Sequence, residues 1–236
     1  TVAEEMQSGW SQTWPGAAGT HLIQVQPGVQ PMGVMFGNWE DGGSGPGREY
    51  DWGDAPDPTY PTLRTRNGAY HRVVPGFHLG AMIDGEPDGQ PTPDALGDDH
   101  FDADDEDGVF FAGPLMPDQP VQVEIIASAD GVVDAWIDFD GDGSWAHASD
   151  RILTHEPVLA GGNVLSFHVP ATAAVDIDTY ARFRFTSAGV PAPDGPAPDG
   201  EVEDYHILLG EHGPVVPGEG EISPHVKWSQ PPMEID

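Results

Sequence analysis

Apolar and polar residues exchange with a period of two over much of the second half of this chain. The pattern runs through "VQVEIIAS" (121–128), "VVDAWIDF" (132–139), "NVLSFHV" (163–169), "TYARFRFT" (179–186) and "EDYHILL" (203–209). A strand sends successive side chains to opposite faces, so this period predicts strands with one face turned inward. In "TYARFRFT", Ala181, Phe183 and Phe185 share one face, while Tyr180, Arg182 and Arg184 share the other. That arrangement predicts a sheet with one dry side. Helical periodicity is almost absent, and Gly, Pro and Asp punctuate the strands. The expected class is all-β, a β-sandwich of jelly-roll or immunoglobulin-like type with long acidic loops.

The first forty residues read as a separate arm. Strands are expected near 20–26 and 31–36, joined by a Pro-Gly turn and carrying Leu22, Ile23, Val25, Val34, Met35 and Phe36. A two-stranded unit is marginal alone in water, so these strands need a partner. Two readings stay open: an arm that adds a strand to a neighbouring copy, or the end of an upstream domain. Strand addition to an open edge is a known recognition mode. Head-to-tail contacts of this kind do not close, and they build filaments or tubes. Residues 41–48 form a Gly-rich linker, 49–210 the sandwich, and 211–236 an extended Pro-rich tail whose Trp228 is expected to lie across an adjacent subunit.

Charge narrows the function. The 236 residues carry 40 Asp and Glu against 8 Lys and Arg, a formal net charge of -32. Such a chain repels nucleic acid and anionic membranes and attracts cations. No run approaches the ~18 apolar residues of a membrane span, and no signal peptide is visible. The chain opens at Thr1 without an initiator Met, which fits a segment excised from something larger. Gly and Pro are abundant, yet 7 Trp and 9 Phe supply material for a core. Cysteine is absent, so disulfides do not staple the fold, and bound calcium is the expected substitute.

The sharpest candidate chemistry lies in "WIDFDGDGSW" (136–145), which packs Asp138, Asp140 and Asp142 into five positions. The string D-x-D-x-D-G matches the first half of an EF-hand loop, whose alternate carboxylates converge on calcium while the Gly permits the sharp turn. Ser144 can add a ligand. The twelfth position is Ser149 rather than Glu, and Asp150 stands one place later as its substitute. Flanking strands exclude the helix–loop–helix. The alternative is a polar β-turn that uses Asp and Gly for turn chemistry alone. Further acidic clusters hold Asp51, Asp54 and Asp57; then Asp98, Asp99, Asp102, Asp104, Asp105, Glu106 and Asp107; then Asp199, Glu201, Glu203 and Asp204. Each is either a solvated acidic loop or part of a calcium site. Hard oxygen donors without Cys favour Ca²⁺ over zinc or copper.

Catalytic signatures are weak. Paired carboxylates can cleave glycosides, but among so many acids a chance pair is certain. Ser nucleophile elbows, phosphate-cradling Gly loops and Cys nucleophiles are missing. The ten histidines are scattered, and His100 is either an incidental neighbour of the acidic loop or a ligand. The tryptophans read as packing anchors, with sugar stacking as the rival role.

Taken in order, "DWGDAPDPTYPTL", "NGAYHRV", "LGAMIDGEPDGQPTPDALGDD", "DDEDGV", "WIDFDGDGSW", "ARFRFTSAG" and "DGEVEDY" resemble the GEVED domain, named for the string at 200–204. The resemblance runs from about residue 50 to 210. It implies a β-sandwich module of large bacterial and archaeal surface or secreted proteins, without established catalysis. The N-terminal arm resembles the closing strands of a Cna-B or serine-aspartate-repeat B-type domain, and "VKWSQPP" resembles a segment that follows GEVED modules. The functional expectation is a calcium-stabilised, non-enzymatic extracellular or cell-surface protein. Its role is structural or adhesive, its partners other copies of itself or neighbouring domains of a larger protein. A calcium-dependent carbohydrate-binding module, with a glycan as partner, is the alternative.

Overall fold

The computed structural model describes residues 49–97 and 106–210, together with the backbone of residues 2–3, 10–14, 20–21 and 37–40. The chain divides into two units, Thr1–Gly47 and Arg48–Asp236. In the first, strand β1 (Val2–Ala3) pairs antiparallel with β3 (Thr20–His21), and β2 (Trp10–Trp14) pairs antiparallel with β4 (Gly37–Glu40). The expected strands near 20–26 and 31–36 fall mostly on residues 22–36. Those lie outside the described residues, and Leu22, Ile23, Val25, Val34 and Phe36 with them.

The second unit contains β5 (Tyr50–Trp52), a 3-10 turn at Arg64–Arg66, β6 (Tyr70–Arg72), β7 (Val109–Phe111), β8 (Pro120–Ala127) and β9 (Gly131–Ile137). It continues with β10 (Arg151–Val158), β11 (Gly161–His168), β12 (Ile177–Thr186), β13 (Pro196–Ala197) and β14 (Glu201–Leu209). Three sheets result, in the orders β10-β9-β12-β14, β11-β8-β7 and β13-β6-β5.

The first two sheets form the sandwich. Their inner faces are built by the alternation read from the sequence: Val133, Ala135 and Ile137 on β9, Ala181, Phe183 and Phe185 on β12, and Val123 and Ile125 on β8, all buried in one core. Burying a Phe of this kind contributes roughly 1.5–3 kcal/mol. The central strand β12 runs antiparallel to both neighbours, with Phe183 opposite Ala135 on one side and Glu203 on the other.

The other side of β12 is not wet, which corrects the expectation of a single dry face. Arg182 and Arg184 are 0% and 1% exposed. The third sheet and the loops around it cover this face, joined by a second apolar cluster of Ala55, Tyr60, Trp136, Trp145, Val190 and Ala197. The domain is therefore three layers deep. Alternation cannot show this, because an Arg faces outward in the pattern whether it meets water or a polar lid.

Strand β10 was not expected. Its register against β9 shifts twice, and His155 within it has φ +52. These bulges break the period of two, and Pro157 is tolerated because β10 is an edge strand. The "APDG" loop also contains β13, which pairs in parallel with β6.

Candidate functional site

Strand β9 ends at Ile137, and the chain turns through the aspartate loop before β10 begins at Arg151. Asp138 does not face solvent. It is fully buried; its Oδ1 accepts the Gly141 amide at 2.8 Å, and its Oδ2 accepts the Gly143 amide at 2.9 Å and the Tyr60 hydroxyl at 2.7 Å. Gly141 and Gly143 stand at φ +68 and +83, the left-handed region that favours glycine. The backbone carbonyl of Asp138 accepts Thr179 Oγ1 at 2.7 Å. Asp138 thus organises the turn from beneath and ties it to Tyr60, which packs on Trp145 and Tyr180.

Asp140 and Asp142 point the other way, to the surface. His147 joins them, its Nδ1 3.2 Å from Asp140 Oδ2 and its Nε2 3.9 Å from Asp142 Oδ2. One donor atom from each of the three lies within 4.8 Å of the others, the only such grouping among the described residues. Ser144 Oγ accepts the Ala146 amide at 3.1 Å. Asp150 sits buried below the loop, accepting the His147 amide at 3.2 Å and the Phe139 amide at 3.4 Å. Burial, and then the charges of Asp138 and Asp140, push its carboxyl up to about 6. The donors that converge outward suit a divalent cation: two hard carboxylates and one imidazole.

The remaining acidic candidates are distributed differently. Asp98, Asp99 and Asp105 lie outside the described residues, as does Trp228. Asp54 is buried, and its Oδ2 accepts the Gly97 amide at 2.7 Å. Asp107 Oδ1 accepts the Ala81 amide at 2.8 Å. Glu201 is buried and accepts the Leu79 amide. Asp51 Oδ2 accepts the Val202 amide at 2.6 Å.

The segment Gly200–Asp204 acts as a row of staples. Gly200 has φ +91, and a Cβ there would stand 1.8 Å from the Phe185 carbonyl oxygen, so no side chain fits. Glu201 and Glu203 face the sandwich core; Glu203 Oε1 accepts the Gly108 amide at 2.9 Å and its Oε2 accepts the Tyr205 hydroxyl at 2.9 Å. Burial first, and the Asp107 charge after it, push the Glu203 carboxyl up to about 8. Asp204 faces the third sheet. There it meets Arg182 and accepts the amides of Asp54 and Ala55 at 2.9 and 2.8 Å.

Sequence reasoning missed three participants. His147 carries a weak signal, its place within the aspartate loop. Tyr60 carries none, because its partner Asp138 is distant in sequence. The third is the buried pair Arg184 and His71, whose Nε and Nε2 stand 2.9 Å apart.

No curated protein and no solved structure matches the chain. A family model does match, from one residue inside β9 to one residue before the end of β14, a span that includes the aspartate loop and the stapling segment. The matching model is that of the GEVED domain, over residues 132–208, and this stretch of the chain is similar to that family.

Proposed function

We propose that the chain is a non-enzymatic, calcium-stabilised module of an extracellular surface protein, with a structural or adhesive role. The observation that carries this reading is the convergence of Asp140, Asp142 and His147 on a turn held from below by Asp138 and Asp150. A calcium ion supplies positive charge where two carboxylates face one another. Asp140 and Asp142 would hold it, with His147 giving way. The ion-binding face then stands on a rigid stem, since Asp138 is already committed to backbone amides and Tyr60.

Self-assembly into a filament or tube belongs to the same reading. A chain of net charge -32 repels its own copies, and cations bound between acidic surfaces offset that repulsion. The carbohydrate-binding alternative gains no support from Trp52, Trp136 and Trp145, which are buried and offer no face on which a sugar can stack.

The test is thermal unfolding with EGTA, then with Ca²⁺ or Mg²⁺ restored. Free calcium at a thousand times its dissociation constant stabilises by roughly 4 kcal/mol. The melting temperature should fall in chelator and recover with Ca²⁺ more than with Mg²⁺, which demands a stricter octahedron. The Asp140→Ala, Asp142→Ala double variant should lose that response. A melt indifferent to chelator would overturn the proposal.

A further inference from the structure

The described strands that border a sheet are not equally protected. Strand β10 is bulged and carries Arg151, Glu156 and Pro157. Strand β7 has three residues, as does β5, and β13 has two. Strand β14 is mostly buried. Strand β11 differs: eight residues, paired with β8 without a register shift, and reading GGNVLSFH. It holds no Asp, Glu, Lys, Arg or Pro, none of the devices that usually blunt an open edge. Val164 on it is 63% exposed, and Leu159 just before it is 66% exposed.

The ladder shows which backbone groups face outward. The Gln122 carbonyl bonds the Ala112 amide and the Ile126 amide bonds the Gly108 carbonyl, so even-numbered residues of β8 bond toward β7. Odd-numbered residues of β8 therefore bond toward β11, where Val121, Val123 and Ile125 stand opposite Phe167, Leu165 and Asn163. In an antiparallel ladder the alternate residues point the other way. The amides and carbonyls of Gly162, Val164, Ser166 and His168 thus line the free edge, and all four residues are exposed.

We infer that β11 pairs antiparallel with β11 of a second copy, making one six-stranded sheet across a two-fold axis at Val164. In this register Val164 faces the partner's Val164, and Gly162 faces the partner's Ser166. Every facing residue has its hydrogen-bonding groups turned outward, and the core-facing side chains of both copies stay on one side. A two-fold contact uses the same patch twice and closes on itself.

Charge selects a second copy as the occupant. Two chains of net charge -32 meet edge to edge most readily where carboxylates are few, and β11 itself holds none; at its two ends lie Asp118, 3.8 Å from His168, and Asp130, which accepts the Ala160 amide. The nearest acid in the ladder is Glu124, opposite Val164 on β8. At about 4.8 Å per strand, it lies about 14 Å from the partner's Glu124, beyond the Debye length of about 8 Å at physiological ionic strength. The contact is small, below the roughly 1,000 Å² of a stable interface, and so it forms a weak dimer. Residual repulsion between the two chains makes it tighten as salt rises. This surface does not depend on cation binding in the aspartate loop.

Sedimentation equilibrium of the full chain in EDTA tests the pairing. The weight-average mass should rise toward twofold with protein concentration, and more so at high salt. Ser166→Pro removes an outward N–H without touching the ladder to β8, and should return the protein to monomer. Val164→Asp keeps every backbone bond but sets two carboxylates face to face, with the same expected loss. In this cysteine-free chain, Val164→Cys should cross-link on oxidation, and Val175→Cys, 48% exposed outside this strand, should not. A chain that stays monomeric at high concentration and high salt overturns the inference. So does a dimer that survives both edge variants, or equal cross-linking of the two cysteine variants.

Discussion

Arg182 grips Asp204 through two parallel hydrogen bonds, Nε to Oδ1 at 2.6 Å and Nη2 to Oδ2 at 2.6 Å, with both side chains buried. The other guanidinium donors reach the carbonyls of Pro61 and Pro193 and the hydroxyl of Thr62. A buried ion pair of this completeness ties β12 and β14 to the loops of the third layer. Removing one partner leaves the other charge buried and uncompensated, at a cost of about 3–5 kcal/mol. Asp204→Ala should fall in that range by urea denaturation. Arg182→Lys should recover little of the loss in an Arg182→Ala variant, since a lysine lacks the planar fork. A loss below about 1 kcal/mol would match an exposed pair and contradict this geometry.

Strand β12 carries a second buried arginine, and its partner sets a pH dependence. His71 Nε2 accepts Arg184 Nε at 2.9 Å, and His71 Nδ1 donates to the Asp199 carbonyl at 2.9 Å. Both ring positions are used by the neutral tautomer. Burial first, then the Arg184 and Arg182 charges, hold the imidazole well below its ordinary value of 6.5. The unfolded chain therefore takes up a proton near 6.5 while the folded one does not. His71 contributes its full stability above that pH, and the contribution is lost as pH falls below it. Between pH 6.5 and 5, the stability of the native chain should decline more steeply than that of His71→Gln, by up to about 1.4 kcal/mol per pH unit for one proton. Urea midpoints at several pH values measure the difference; parallel slopes would mean that His71 is protonated in the folded state.

The two kinds of aspartate in the turn should separate on mutation. Asp138→Ala strands the buried Tyr60 hydroxyl and frees the less buried Gly141 and Gly143 amides, and an unsatisfied buried group costs about 1–3 kcal/mol. Stability should fall by about that amount or more, with or without calcium. Asp140→Ala touches only the exposed side, should change stability by less than about 0.5 kcal/mol in EGTA, and should weaken calcium binding. Paired melts with and without chelator distinguish the two. Equal behaviour of the two variants would mean that the turn does not divide into a stem and an ion-binding face.

The sequence by itself determined the class of fold and the strands that carry it. Ala181, Phe183 and Phe185 announce a buried face because a period of two is a local property of an extended chain. The aspartate loop was legible for the same reason: its Asp and Gly residues are close in sequence, and left-handed glycine turns are local. Strand β10 escaped notice because its bulges erase the alternation. What only the tertiary structure decided is which acids serve the fold and which face solvent. Asp138 and Asp140 are indistinguishable in the string, yet one lies under Tyr60 and the other beside His147. Arg182 and Arg184 read as a wet face until the third layer supplied carbonyls, His71 and Asp204 to receive them. Burial of a charge is settled by partners brought from far along the chain, and no local period encodes where those partners come to rest.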